Sequence, residues 1–417
     1  MSKYFGLLNT LFFRGAGALF SVLAIYLVLN TTNQKNASEY FVVLNVITFL
    51  TMICSLGFGS FLTRVISISK SKIDVKRYSI GVFYRAASFL LLFFFLYYLA
   101  KDEVAEYFDK PVISQFYIYI AVCVAVWAFL QVYSGALVGF RRANLAAVVQ
   151  NMLPYVFIII VCSIGYFYGV ELTTEITLSL LILGILIGLI SSIAIIMKAT
   201  KELPEGENKD VDFKGISHYT YAHITQYLLF SGVSFINMRH ISNLDVAAVY
   251  SMQKVIGVLT LLLIVINMVA SPYFARFWSE NNLDRLKEVV TFYSRVSFYF
   301  SLPLFFIFVF FAKEVLSFFS ASFVSYVYEF RVLLVGVFCS VLFGPVTVIL
   351  QMIGRAKVVS QINFYLVFPI LLGSYFLTQE YSVMGLCFSI SFLFFIQNFI
   401  LVLYVRRTLG YFPILGR

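Results

Sequence analysis

The sequence predicts an all-α integral membrane protein with twelve transmembrane helices in two six-helix lobes and with both termini in the cytoplasm. The composition is 61% hydrophobic and 12% charged over 417 residues, which gives more apolar surface than a soluble domain can bury. Apolar runs of about twenty residues recur along the chain, and at about 1.5 Å per residue each matches the hydrocarbon thickness of a bilayer. The cations concentrate in alternate loops, as in polytopic proteins.

Residues 36–72 predict one transmembrane helix, its orientation and the side of the membrane on which its following loop lies. Residues 40–63 carry no charge and predict one continuous transmembrane helix. Five cations follow within the next turns: Arg64, Lys70, Lys72, Lys76 and Arg77. Because such clusters resist translocation, the loop after this span is predicted to be cytoplasmic.

The other spans follow from the same pattern. Residues 5–29 could be a cleaved signal peptide or the first transmembrane helix. Arg14 would interrupt the apolar region of a signal peptide, so the sequence favours a retained helix. The predicted spans of the N-terminal half are 5–29, 40–63, 79–100, 114–140, 145–169 and 176–197. Those of the C-terminal half are 216–238, 246–272, 294–312, 332–353, 358–378 and 383–405.

The loops define the domains and the orientation. The hydrophilic residues 199–215 are predicted to be a cytoplasmic linker between an N-terminal lobe, 1–198, and a C-terminal lobe, 216–417. Segments predicted to be cytoplasmic hold 21 Lys and Arg residues, against 6 in the outer segments. The acidic residues 101–111 are predicted to be a periplasmic loop. After the eighth span, helical spacing from Leu283 behind Asn282 predicts an N-capped, short interfacial helix.

The two halves share a sequence pattern. GFRRANLAAVVQN joins the fourth and fifth spans, and MIGRAKVVSQINF joins the tenth and eleventh. Both place Arg-Ala before a run of small, apolar and amide side chains. Because each half has an even number of spans, the halves are predicted to be parallel repeats with a cavity between them.

Four segments of the chain resemble a known family. SLGFGSFLTRVIS, GALVGFRRAN, ASPYFARFWSENNLDRLKE and IGRAK resemble the Wzx-type flippases of the multidrug/oligosaccharidyl-lipid/polysaccharide exporter superfamily. The resemblance implies a MATE-like bundle in a bacterial inner membrane. It also implies that an undecaprenyl-pyrophosphate-linked oligosaccharide, an O-antigen or related repeat unit, moves from the cytoplasmic to the periplasmic leaflet. Membrane lipids, a polysaccharide polymerase and a chain-length regulator are the further partners it implies. Ser55 departs from the family, because many relatives carry an acid there.

Three cations lie more than one helical turn inside their spans and are candidates for binding a pyrophosphate. They are Arg14, Arg85 and Lys254. A charge deep in a bilayer costs at least about 2.5 kcal/mol, so such residues usually face a bundle interior or a wet cavity. Snorkelling to the headgroups is the alternative for Arg85, which lies close to the cytoplasmic end of its span.

Polar uncharged residues complete the candidate substrate site. His223 and Gln226 share one face of the seventh span with Thr220, Tyr227 and Ser234. Aligning the halves with an offset of 209 residues places Arg14 on His223 and Asn45 on Lys254. His240, beside Arg239, is predicted to lie at the outer interface.

Other functions are disfavoured by what the sequence lacks. The excess of cations lies in short loops, where orientation explains it, so no nucleic-acid partner is expected. No metalloprotease, nucleophile-elbow or P-loop motif occurs, and no cofactor is expected. A polysaccharide-assembly enzyme such as an O-antigen polymerase should carry a large periplasmic loop. A cation-coupled multidrug exporter of the same fold is the nearer alternative, although it generally needs a carboxylate within the bundle. Proton or sodium coupling stays open.

Overall fold

The computed structural model describes residues 2–69, 71–205 and 216–413. Within these ranges the chain is helical, without a strand. The N-terminal helices are α1 (Ser2–Thr31), α2 (Gln34–Cys54), α3 (Phe58–Ile68), α4 (Lys72–Phe108), α5 (Val112–Gln115), α6 (Tyr117–Gly139), α7 (Ala143–Asn151), α8 (Leu153–Tyr168) and α9 (Thr174–Lys201). The C-terminal helices are α10 (Ile216–Ile236), α11 (Asn243–Ser279), α12 (Leu283–Phe310), α13 (Ala312–Phe319), α14 (Val327–Leu342), α15 (Val346–Met352) and α16 (Ala356–Leu409).

Contacts between residues define two compact units. The N-terminal unit comprises Ala16–Tyr227 and Ser242–Ala247, and the C-terminal unit comprises Met1–Gly15, Leu228–Ile241 and Ala248–Arg417. Residues 206–215 of the predicted linker lie outside the described residues. The boundaries 1–198 and 216–417 stay a prediction.

The helices are long and apolar enough for a multi-pass membrane protein. Among the described residues, nine helices could cross a membrane, or ten if the bent pair α7 and α8 is one span. Helices occupy most of every predicted span, which confirms the predicted fold class. Which side of the membrane the termini occupy stays a prediction.

The predicted continuous helix over residues 40–63 is wrong. The chain leaves α2 after Cys54 and enters α3 at Phe58. Between them Leu56 has φ 49° and Gly57 has φ 69°, which is left-handed backbone that interrupts a right-handed helix. A hydropathy profile does not detect the break, because both sides of it are apolar.

Two other predicted spans also depart from straight helices. The fifth comprises α7 and α8, which meet at an angle of 41°, with Pro154 in the first turn of α8. In the tenth, Gly344 has φ 74° and Pro345 precedes α15. The separation of the eleventh and twelfth spans is confirmed, since Ser382 within α16 has the non-helical angles φ 50° and ψ −130°.

Two predictions differ from the structure: the short helix after the eighth span and the loop at residues 101–111. The predicted N-cap is confirmed, because the Asn282 side chain accepts a hydrogen bond from the Arg285 amide at 3.1 Å. A separate interfacial helix is wrong, since α12 continues unbroken to Phe310. No glycine and no proline occurs from Leu283 until Pro303, so nothing ends the helix. The acidic segment 101–111 is also largely helical, since α4 ends only at Phe108.

The local similarity between the two Arg-Ala turns is confirmed by their geometry. Arg141 and Gly354 both have positive φ, 59° and 80°. The next amide closes each turn: Arg142 N donates to Leu137 O at 2.9 Å, and Arg355 N donates to Leu350 O at 2.7 Å. Both turns cap the C-terminus of the preceding helix, and in both the next helix begins at the alanine that follows the arginine.

Candidate functional site

His223 lies in the N-terminal unit, against the break that follows α2. Its Nε2 is 2.8 Å from Ser55 Oγ and 3.0 Å from the Met52 carbonyl oxygen. A carbonyl only accepts, so the bond to Met52 requires a protonated Nε2. Ser55 Oγ then accepts from the same N–H and donates to the Met52 carbonyl at 3.0 Å. One arrangement of protons therefore satisfies all three groups.

Gly57 lets α10 approach this break closely. A Cβ atom on Gly57 would lie 2.7 Å from Tyr219 O and 2.9 Å from His223 Cβ. Thr220 Oγ1 donates to the Leu56 carbonyl at 2.8 Å, which satisfies one carbonyl exposed by the break. Glycine is thus required here for both its positive φ and its missing side chain.

Arg64 adds a cation to the same region. Its guanidinium donates to the Tyr219 hydroxyl at 2.9 Å, and the Tyr219 ring packs edge-on against Phe61. Sequence reasoning missed this pair and the Ser55 contact. The S-L-G-F-G signal was available, because closely spaced glycines in an apolar run mark turns or close backbone approach.

The other predicted site residues of the N-terminal unit lie on α2, α4 and α10. Asn45 is buried within α2, with 8% of its surface exposed. Gln226 is exposed on α10. Arg85 is exposed, and its guanidinium donates to the Gly81 carbonyl of its own helix at 3.0 Å. Since Tyr84 beside it is 66% exposed, the position of Arg85 favours snorkelling.

The remaining two predicted residues belong to the C-terminal unit. Arg14 is partly buried, and among the described residues its Nε is shielded from water without a hydrogen-bond partner. Lys254 places its ammonium 5.2 Å from the centre of the buried Tyr250 ring, within range of a cation–π interaction. The Arg14 Nε is therefore withdrawn from water, and the Lys254 ammonium lies near an aromatic ring.

Lys110 is a buried cation that sequence reasoning counted as an ordinary loop residue. It lies between α4 and α5 with 6% of its surface exposed. Burial lowers the pKa of Lys110, and the negative charges of Asp109 and Asp245 oppose that shift. Among the described residues there is no cluster of His, Cys, Asp and Glu suited to a metal ion.

These observations define a multi-pass helical membrane protein with partly buried cations. Comparison with known proteins identifies the type of helical fold. The family model MatE matches residues 222–375, less than half of the chain. No curated protein matches the chain significantly.

Solved structures match nearly the whole chain. An inward-facing multidrug resistance MATE family transporter is 12% identical, with a TM-score of 0.70 over 96% of this chain and 98% of that one. An outward-facing one is 13% identical, with a TM-score of 0.69 over 97% and 95%. A transporter of the MOP superfamily from Pyrococcus furiosus is 14% identical, with a TM-score of 0.68 over 97% and 95%. The chain therefore has the MATE-like transporter fold.

Proposed function

We propose that the protein is a transporter that moves an undecaprenyl-pyrophosphate-linked oligosaccharide, an O-antigen or related repeat unit, from the cytoplasmic to the periplasmic leaflet of a bacterial inner membrane. The observation that carries the proposal is the sign of the charges within the helices. Arg14 and Lys254 are partly buried cations within helices, whereas the acids among the described residues lie near helix ends or breaks. Positive charge in a bundle suits an anionic substrate.

The chemistry of the substrate explains why such cations are needed. A pyrophosphate and many sugar hydroxyls cannot cross hydrocarbon without partners, since each unsatisfied polar group costs several kcal/mol there. Arg14 has an N–H without a partner among the described residues, which leaves a donor for a phosphate oxygen. Hydrogen bonds to charged groups contribute about 1.5–3 kcal/mol each. Arg14 and Lys254 are therefore assigned to the pyrophosphate.

Uncharged polar residues suit the sugar. Asn45 and Gln226 carry amide groups, which both donate and accept and so match hydroxyls. His223 is committed to Ser55 and Met52, so its contribution is to hold α10 on the break. In the proposed mechanism, the two lobes alternately open the path to each side of the membrane.

A cation-coupled multidrug exporter is the second candidate. The MatE match and the multidrug transporters among the matched structures favour it. The Pyrococcus furiosus transporter is described as having a binding pocket of reverse polarity, which suggests a different function. The polarity of the pocket is therefore a criterion for separating functions within this fold. The cations of the present chain favour the anionic substrate.

Flipping in proteoliposomes tests the proposal. We expect the purified protein to carry a fluorescent undecaprenyl-pyrophosphate-linked sugar across the bilayer, so that dithionite no longer quenches it. Arg14→Ala and Lys254→Ala should each lower the rate about 10- to 100-fold, because a charged hydrogen bond is lost. Arg14→Lys and Lys254→Arg should retain more activity than the alanine variants.

Lys76→Ala is the matched control, since Lys76 is an exposed cation on α4, and it should flip at the wild-type rate. Wild-type rates in both alanine variants would remove these residues from the site. Ethidium transport without lipid flipping would favour the exporter instead.

A further inference from the structure

A groove runs along α12 on the side away from the core of the C-terminal unit. Leu286, Val290 and Ser294 face the core and are fully buried. The opposite face lines a groove of about 880 Å³. Its described lining extends from Asp284 to Phe300 on this one helix. At about 1.5 Å per residue the groove is about 24 Å long, which is close to the length of one lipid.

The polarity of the groove changes in a definite order along the helix. Asp284 and Glu288 occupy its first two turns, and Arg295 follows two turns further. Beyond Arg295 the lining becomes apolar, with Tyr299 67% exposed and Phe300 57% exposed. Lys287 lies between the two acids, and Phe292 precedes Arg295. Both acids therefore come before Arg295 along the helix, and beyond Arg295 the lining is apolar.

Neighbouring contacts keep the polar end close to neutral. Arg285 pairs with Glu288, with 3.1 Å between its nitrogen and the carboxylate oxygen. Lys287 lies 5.4 Å from the centre of the Tyr411 ring. The groove is therefore not a strongly positive patch of the kind that attracts polyanionic headgroups.

Thr291 lies between the acids and Arg295. Its Oγ1 is shielded from water and has no hydrogen-bond partner in the part of the chain that the structure describes. Helical side chains lean toward the helix N-terminus, so the long Arg295 side chain reaches back toward the level of Thr291. A guanidinium and a hydroxyl donor are thus placed for the oxygens of one phosphate.

We propose that this groove binds a phospholipid with a phosphoethanolamine headgroup. The primary ammonium lies at Asp284 and at Glu288, whose other carboxylate oxygen keeps its bond to Arg285. The phosphate lies at Arg295 and Thr291, and an acyl chain lies on Tyr299 and Phe300. The predicted cytoplasmic position of the α12 N-terminus places the headgroup at the inner leaflet surface. Phosphatidylglycerol has no ammonium for the acids, and the trimethylammonium of phosphatidylcholine cannot donate hydrogen bonds.

Native mass spectrometry of the purified full-length protein tests the proposal. Phosphatidylethanolamine, phosphatidylglycerol and phosphatidylcholine of identical chains are added in equal amounts. We expect phosphatidylethanolamine to be retained about 2- to 5-fold more than either competitor, the range of one exposed charge pair. Equal retention of all three lipids would overturn the proposal.

Variants separate the headgroup contacts. Glu288→Gln should abolish the preference for phosphatidylethanolamine over phosphatidylglycerol, and Arg295→Ala should lower the retention of all three lipids. Arg295→Lys should keep most of the binding, which separates loss of the charge from loss of folding. Arg407→Ala, which removes an exposed cation from the last turn of α16, should change nothing.

Undecaprenyl phosphate is the remaining competitor. If it displaces phosphatidylethanolamine from the wild-type protein and fails to bind to Arg295→Ala, the groove is a site for the carrier lipid and the proposal is wrong. Phosphatidylethanolamine that resists an equal amount of undecaprenyl phosphate supports it.

Discussion

The two units differ in the contacts that are most prominent between their helices. In the N-terminal unit backbones touch: a Cβ atom on Gly135 would lie 2.3 Å from Gly59 O, and one on Gly184 would lie 2.5 Å from Leu153 O. In the C-terminal unit Gly336 also packs closely, against Ser391, and several polar side chains pair across elements. Gln397 donates to Asn363 at 2.8 Å, Asn237 donates to Ser374 at 2.9 Å, and Gln253 donates to Ser234 at 3.0 Å.

Both arrangements solve one physical problem. Lipid tails are as apolar as leucine, so helices in a membrane gain little by burying apolar side chains against each other. Close packing at small residues and interhelical hydrogen bonds are the remaining sources of association. The glycine contacts of the N-terminal unit should therefore be sensitive to added volume, whereas the polar pairs of the C-terminal unit should be sensitive to the loss of one member.

The largest effect is expected at Gly135. Gly135→Ala forces the backbones of α3 and α6 apart, and overpacking of this kind costs about 1–3 kcal/mol. Melting can be followed with a thiol-reactive dye, since Cys54, Cys123, Cys162 and Cys387 are buried. We expect a clear fall in the melting temperature.

Gly373→Ala is the control for this change. No atom lies within 4 Å of the position that its Cβ would take. Alanine in a helix is favoured over glycine by about 0.5–1 kcal/mol, so this variant should melt at or above the wild-type temperature. Equal losses in both variants would remove the case for backbone packing in the N-terminal unit.

The Gln397–Asn363 pair tests the other half of the comparison. Both side chains are buried. Gln397→Met therefore leaves the side-chain oxygen of Asn363 without its hydrogen-bond donor, which costs about 1–3 kcal/mol. The double variant Gln397→Met, Asn363→Leu removes both polar groups and should cost less than the sum of the single changes. The same melting assay measures this coupling, and strictly additive losses would contradict it.

A smaller effect is expected from Ser55→Ala. The change removes the bonds of the Ser55 hydroxyl to His223 and to the Met52 carbonyl. Because His223 and Met52 still bond to each other, no partner is left unsatisfied, and the net loss is about 0.5–1.5 kcal/mol. Ser67→Ala removes an exposed hydroxyl that bonds within α3 and should have no effect. A larger loss for Ser55→Ala than for Gln397→Met would reverse the proposed contrast between the units.

The smallest effect is a pH dependence at His240. Burial, and then the charge of Arg239, lower the pKa of His240 below its ordinary value of 6.5, and its ring packs on Tyr375. Because the unfolded chain takes up this proton first, the folding contribution of His240 is present above pH 6.5 and declines below it. We expect melting temperatures to fall from pH 7 to pH 5.5, and to fall less in His240→Phe. An identical pH profile in that variant would exclude this origin.

Some of the site followed from the sequence. Arg14 and Lys254 stand out in the sequence as cations inside apolar runs, and both are partly buried in the structure; their role in a site stays a prediction. The cap at Asn282 and the paired Arg-Ala turns were also predictable, because each depends on a few neighbouring residues. Ser55 was not, because its partner His223 is 168 residues away and no local pattern encodes such a distance.

The sequence by itself determined the class of protein. Hydropathy and charge fix a helical, multi-pass membrane protein, since the bilayer requires each backbone polar group to be satisfied within its own helix. The tertiary structure decided where the helices break, which polar side chains pair and where α12 presents its groove. Breaks such as Leu56–Gly57 lie within apolar sequence and depend on contacts from distant residues such as Thr220, which hydropathy does not record.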